Sequence, residues 1–220
     1  MTEGNNYSGM DQNEFMKRMK AIASDLWGGG TPAGEETAAP AGRKESTPAG
    51  QGKPKTDIQN LWKTADETID WTDALAHSTP TDGLTGPRMW TFYHKHAQKV
   101  LEGDLDAYTE VLQKANPLGE LTEYAEGITM RAPSAERLES RFVCKSEQME
   151  KNRKLYLAAM GLRIARDLLA CLPVEEVTVT GEENGTAVFT ATYSRQQLLH
   201  RNFVFTDPVV LAKEIGAEFG

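Results

Sequence analysis

The stretch LYLAAMGLRIARDLLACL, from Leu155 to Leu172, decides the fold. Its apolar residues cover well over half the circumference of a helix, and a helix of this kind is buried on several sides. Arg163, Arg166 and Asp167 interrupt the apolar surface and share one polar stripe. The pattern therefore predicts a long buried helix over residues 147–172, which Pro173 ends.

A β-hairpin and two short helices are predicted after this long helix. Residues 174–180 and 186–193 alternate apolar and polar side chains, which is typical of half-buried strands. Asn184-Gly185 lies between them and favours the tight turn of a hairpin. Ser194 and Asp207-Pro208 then have the residue types that begin helices, so each predicts a short helix.

The segment before the long helix allows two interpretations. Within residues 137–145, Leu138 and Phe142 alternate with charged residues, which predicts a strand. The same two residues, with Ala135, also fit one face of a helix. With a further strand at residues 128–131, we expect three or four strands backed by the long helix, an α+β fold for residues 127–220.

Residues 57–126 form an acidic segment with helical spacing. They carry five basic and thirteen acidic side chains, so the whole formal charge of −8 belongs to them. Apolar spacing predicts helices across residues 58–69 and from Pro87 and Asp104, with a kinked or irregular connection at residues 71–86. We expect an acidic helical subdomain here, whose field repels phosphate backbones and argues against nucleic-acid binding.

Residues 1–56 are expected to hold a linker and one short helix. Residues 28–55 contain no Val, Ile, Leu, Phe, Met or other aromatic residue, so they cannot bury enough apolar area to fold and are predicted to be a disordered linker rich in Gly, Pro and Ala. Residues 10–27 instead predict an amphipathic helix, whose apolar face includes Phe15, Met19, Ile22, Leu26 and Trp27.

The helix at residues 10–27 requires a surface to cover its apolar face, because an isolated helix of this length is marginal in water. It either folds back onto its own chain, docks on a protein partner, or self-associates with a second copy. Its basic residues are offset by Asp11, Glu14 and Asp25, which argues against a membrane surface.

Composition and motifs exclude several classes of function. A mean hydropathy of −0.51 leaves no room for a membrane span of about 20 apolar residues. The start MTEGNNYSGM lacks the pattern of a secretory signal, so a cytoplasmic protein with reduced Cys144 and Cys171 is expected. No nucleotide or paired-cysteine motif indicates a cofactor. His94 and His96 point about 200° apart on a helix, so no metal site is predicted there. No catalytic residue is predicted either.

Arg163 and Arg166 are the candidate ligand-binding residues. Arg163 and Asp167 lie four residues apart, so an internal ion pair is one interpretation. The other is an anion pocket, because guanidinium groups bind phosphate and carboxylate in a forked geometry.

Two hypotheses of function follow. The first is a non-enzymatic interaction or adaptor protein with a tethered docking helix. The alternative is a small enzyme or anionic-ligand-binding domain, with a site between the helical subdomain and the sheet at Arg163, Arg166 and an acid such as Glu139. Whether the protein is an enzyme stays open, because active sites are often built from residues scattered in sequence.

Overall fold

Helices and one mixed sheet make up residues 57–220, the part of the chain that the computed structural model describes, and this confirms the α+β fold class. The linker and helix predicted within residues 1–56 lie outside this part. The helical elements are a 3-10 helix Ile58–Lys63, α1 Trp71–Ala76, α2 Pro87–Leu101, α3 Leu105–Ala115, a second 3-10 helix Gly119–Glu123, α4 Ser146–Cys171, α5 Arg195–Leu199 and α6 Pro208–Glu214. The strands are β1 Ala125–Ser134, β2 Arg137–Cys144, β3 Glu176–Glu183, β4 Thr186–Ser194 and β5 Glu218–Phe219.

The five strands lie in the order β1-β2-β3-β4-β5. Their neighbours are antiparallel except for β2 and β3, which are parallel. A parallel pair requires a crossover connection, and α4 is that crossover. The strand interpretation of residues 137–145 is confirmed, because Leu138 and Phe142 are buried at alternate positions of β2. The two-residue strand β5 was not predicted from the sequence.

The long helix α4 packs closely against the sheet at a glycine. A Cβ atom at Gly161 would lie 2.5 Å from Cε1 of Phe189 and 2.8 Å from the hydroxyl of Tyr193, both on β4. One turn earlier, Tyr156 meets Phe142 edge to face, with ring centroids 6.1 Å apart. The predicted buried helix is therefore confirmed, with one face against the sheet.

Asn152 interrupts α4 near its start. Its φ of −162° and ψ of 88° are extended rather than helical. The Asn152 side chain accepts a hydrogen bond from the Leu155 backbone N–H at 3.2 Å, as an N-cap residue does. The buried part of the helix thus begins with its own cap, which the apolar pattern alone did not predict.

The helix predicted across residues 58–69 is wrong beyond Lys63, where the 3-10 helix ends. The Asp66 N–H donates to the Asp167 carboxylate at 2.9 Å, and the Ile69 N–H donates to the Ala170 carbonyl at 2.9 Å. These bonds to α4 replace the bonds that a continuing helix would make.

The kinked or irregular connection predicted at residues 71–86 differs in its first six residues, because Trp71–Ala76 form a regular helix, α1. Asp70 caps this helix by accepting from the Asp73 N–H at 2.9 Å. The Trp71 side chain is buried, and its indole N–H donates to the Cys171 carbonyl at 2.9 Å. This bond anchors α1 to the end of α4.

Within residues 57–220, no helix is both long and apolar enough to cross a lipid bilayer.

Candidate functional site

The buried pair Arg163 and Asp167 joins α4 to the segment that follows the first 3-10 helix. Nε of Arg163 donates to the Asp167 carboxylate at 2.6 Å, and Nη1 donates to the Thr64 hydroxyl at 2.6 Å. Asp167 also accepts from the Asp66 N–H. Burying one of these charges alone would be costly, so the pair with its added hydrogen bonds explains how both lie in the core.

The Asp167 carboxyl group of this network has a raised pKa. Burial raises its pKa to about 6, against the lowering effects of the Arg163 charge and hydrogen bond and of the Asp66 N–H. The donors that Arg163 turns toward Asp167 and Thr64 are occupied inside the protein. The geometry thus gives Arg163 the internal pair that its spacing suggested.

Arg166 lies beside this pair but faces a different environment. Its Nη1 donates to the carbonyls of Trp62 and Thr64. Its guanidinium carbon lies 3.7 Å from the centroid of the Phe203 ring, a stacked cation–π contact. Burial lowers the pKa of Arg166 to about 10, so the group stays cationic at neutral pH. Within residues 57–220, its Nε and Nη2 have no hydrogen-bond acceptor.

A shallow, widely open pocket of about 490 Å³ contains Arg166, and we call it the Arg166 pocket. It is lined by Lys63, Arg166 and residues 199–204. Lys63, Arg166 and Arg201 contribute positive charge, and no carboxylate lies among its lining residues in the described part of the chain. Arg201 is partly neutralised by Glu214, whose Oε2 lies 2.8 Å from Nη2. The pocket is therefore basic in an acidic protein.

Next to it, two large apolar side chains point into solvent. Phe205 is 86% exposed and Val204 is 60% exposed, and we call these two residues the apolar ridge. A second pocket, of about 280 Å³, is lined by Gln59, Trp62, Lys63, Leu155 and residues 204–208. Lys63 and Val204 line both pockets, so the ridge and the Arg166 pocket form one continuous surface.

Local hydrogen bonds fix the loop that carries the ridge. The Asn202 side chain accepts from the Val204 N–H at 3.1 Å, and the Thr206 hydroxyl donates to the Asn202 carbonyl at 2.9 Å. The Trp62 indole N–H donates to the Thr206 carbonyl at 2.8 Å, and Asp207 caps α6. Both ends of the loop are thus anchored, while the ridge between them stays outside.

The structure places Glu139 away from Arg163 and Arg166. It alternates with the buried residues Leu138 and Ser140 on β2, so it lies on the outer face of the sheet, where Arg131 Nε donates to it at 2.7 Å. Arg163 and Arg166 lie instead where α4 meets residues 61–66. The three candidates of the sequence-derived site are therefore not brought together.

His94 and His96, which were not predicted to bind a metal, contact different groups in the structure. His94 Nδ1 lies 2.7 Å from the Ala74 carbonyl, and His96 Nε2 lies 2.7 Å from the Glu110 carboxylate. Among residues 57–220, no three His, Cys, Asp or Glu side chains form a group that could hold a metal ion.

Both cysteines are buried free thiols. Burial raises the pKa of Cys144 to about 11 and that of Cys171 to about 12. Thiols with such pKa values are poor nucleophiles, because the thiolate is the reactive form.

Lys63, Phe203 and the apolar ridge are not among the site residues predicted from the sequence. One signal was present: the run Phe203-Val204-Phe205 falls between two predicted helix starts, in neither a strand nor a helix. The predicted partner-binding residues Phe15, Met19, Ile22, Leu26 and Trp27 lie outside the described residues.

Comparisons with protein-family models, with curated proteins and with solved structures find no match for this chain.

Proposed function

We propose that this protein is a non-enzymatic interaction protein that binds a protein partner through two elements. One is the tethered helix expected at residues 10–27. The other is the surface formed by the apolar ridge and the Arg166 pocket. The single observation that carries the proposal is the exposure of Phe205 and Val204, at 86% and 60%, in an anchored loop.

Holding a large apolar side chain in water costs folding stability. Single exposed apolar residues are common, but a Phe held in water by fixed flanking backbone loses the burial that would stabilise the fold. Apolar patches with a polar rim are typical of protein-binding surfaces, and aromatic and Arg side chains dominate their binding energy. The surface formed by the two pockets contains Arg166, Phe203 and Phe205 and so has this composition.

Partner capture from a lysate of the source organism tests the proposal, with the full chain as bait. We expect Phe205→Ser to lose a specific partner, because it removes the largest exposed apolar side chain. Leu84→Ser is the matched control, since Leu84 is 69% exposed in a loop elsewhere. Ile22→Glu combined with Leu26→Glu tests the tethered helix in the same assay. Equal capture by all variants would contradict the proposal.

A second candidate function, binding of a small anionic ligand, is favoured by the unused N–H donors of Arg166. A thermal-shift screen of the full chain with phosphate, nucleotides and dicarboxylates tests it. A ligand at about 100 times its dissociation constant adds about 2.7 kcal/mol to the free energy of unfolding. A shift that Arg166→Lys weakens would support this candidate, and the absence of any shift would count against it.

A further inference from the structure

We infer that the partner presents a short acidic and apolar peptide segment, with a carboxylate in the Arg166 pocket and a large apolar side chain against the apolar ridge. This inference rests on the proposed function, because it names the chemistry of the partner for the same surface.

Charge complementarity is the first argument. The chain carries a net charge of −8. Nevertheless Lys63, Arg166 and Arg201 line the same pocket, and none of the lining residues within residues 57–220 is acidic. Arg201 is paired to Glu214, but neither Lys63 nor Arg166 forms an ion pair with a carboxylate among residues 57–220, and the buried Asp167 acts on Arg166 only through its charge. Opposite charge favours encounter and sets the register of a bound partner.

The fixed position of Arg166 is the second argument. Two backbone carbonyls hold Nη1, and the Phe203 ring covers one face of the guanidinium group. Little side-chain entropy is therefore left to lose on binding, and the free Nε and Nη2 lie side by side on the guanidinium fork, which matches a carboxylate.

The connection between the two pockets is the third argument. Lys63 and Val204 contribute to both, so a group bound at Arg166 lies next to the ridge. A ligand that satisfies both regions must combine an anionic group with apolar surface over a short distance. A peptide segment with Asp or Glu near Leu, Ile, Met or an aromatic residue has this combination, whereas an isolated anion leaves the ridge uncovered.

The test is selection of short random peptides, displayed on phage, on the immobilised full chain. We expect the enriched peptides to combine acidic and large apolar residues. Their synthetic versions should bind about tenfold more weakly to Lys63→Glu and to Phe205→Ser, and more weakly at high salt. Lys99→Glu makes the same charge change on α2, outside both pockets, and should leave the affinity unchanged, as should Leu84→Ser.

Several outcomes would overturn the inference. No enrichment, enrichment without acidic residues, or peptides whose affinity is unaffected by Lys63→Glu would each reject the acidic partner. Competition by a peptide of residues 10–27 would assign the surface to this chain's own segment, and a dimer abolished by Phe205→Ser would assign it to a second copy. If Phe205→Ser still loses its captured partner while the peptides fail, the proposed function survives and only the partner chemistry is wrong. If capture is also unchanged, both fail.

Discussion

At the scale of single residues, Asp167 makes folding stability depend on pH. Its pKa is about 6 in the folded protein and 3.8 as the ordinary value, so the folded state holds this proton more tightly. The stabilisation from this group is therefore complete below about pH 4 and is lost as the pH rises through 6. We expect the free energy of unfolding of wild type, relative to Asp167→Asn, to fall by roughly 2–4 kcal/mol between about pH 4 and 7. Urea unfolding at a series of pH values measures this difference, and parallel profiles would contradict it.

Gly161 is a second residue with a testable role, because the side chains around it leave no room for a Cβ atom. Alanine favours helices over glycine by about 1 kcal/mol, so an exposed helix position would gain from Gly161→Ala. Here the added Cβ meets the Phe189 ring at 2.5 Å, and that ring is buried. We expect a net loss of about 1–3 kcal/mol in the free energy of unfolding. Gly127→Ala is the control, because its Cβ meets no atom within 4 Å, and an equal effect of both substitutions would refute the close-packing argument.

At the scale of elements, the β3–β4 hairpin depends on its turn. Asn184 and Gly185 have φ angles of 52° and 76°, and a two-residue turn with both angles positive matches the twist of the strands. We expect Gly185→Ala to lower the free energy of unfolding by about 1–2 kcal/mol, because alanine is strained at positive φ. Asn184→Gly should change it by less than about half as much, since glycine adopts this conformation freely. Thermal or urea unfolding compares the two, and equal losses would contradict this account.

Elements specified by nearby residues could be predicted from the sequence. The Asn184-Gly185 turn, the Asp207 cap and the apolar surface of α4 each lie within one continuous stretch, and the structure confirms all three. Residues 64–70 could not be predicted in this way. Their backbone conformation depends on Asp167 and Ala170, about 100 residues later, and no local pattern reports such bonds.

For the same reason, only part of the candidate site could be predicted from the sequence. Arg166 was predicted, because a charge on an apolar helix is visible in the sequence. Its neighbours Lys63 and Phe203 come from segments far apart in the chain, so the pocket exists only once α4 has packed against both. Arg163 and Arg166 were predicted to bind one ligand together because they share a polar stripe. In the structure Arg163 binds Asp167 and Thr64, whereas Arg166 binds the Trp62 carbonyl and stacks on Phe203.

At the scale of the whole molecule, α4 contacts both the helical segment, residues 58–123, and the sheet. Its Gly161 face meets β4, while Arg163 and Asp167 bind residues 64–66 and the Cys171 carbonyl accepts from Trp71. If this helix unfolded, the sheet would lose the packing at Gly161 and the helical segment would lose these hydrogen bonds. We therefore expect residues 57–220 to unfold in one cooperative transition, although the sequence pattern divides them at residue 126.

Two separate probes test this cooperativity. Trp62, Trp71 and Trp90 are buried in the helical segment, so their fluorescence reports on it in a Trp27→Phe background. Hydrogen exchange of the Val177 and Val179 amides on β3 reports on the sheet. Gly185→Ala acts in the hairpin, far along the chain from every tryptophan, yet it should lower the urea midpoint of fluorescence together with the protection of β3. The contradicting outcome is a fluorescence midpoint that stays at the wild-type value while β3 loses protection. It would show that the two regions unfold independently, because a loss of stability in the hairpin would leave the helical segment unchanged.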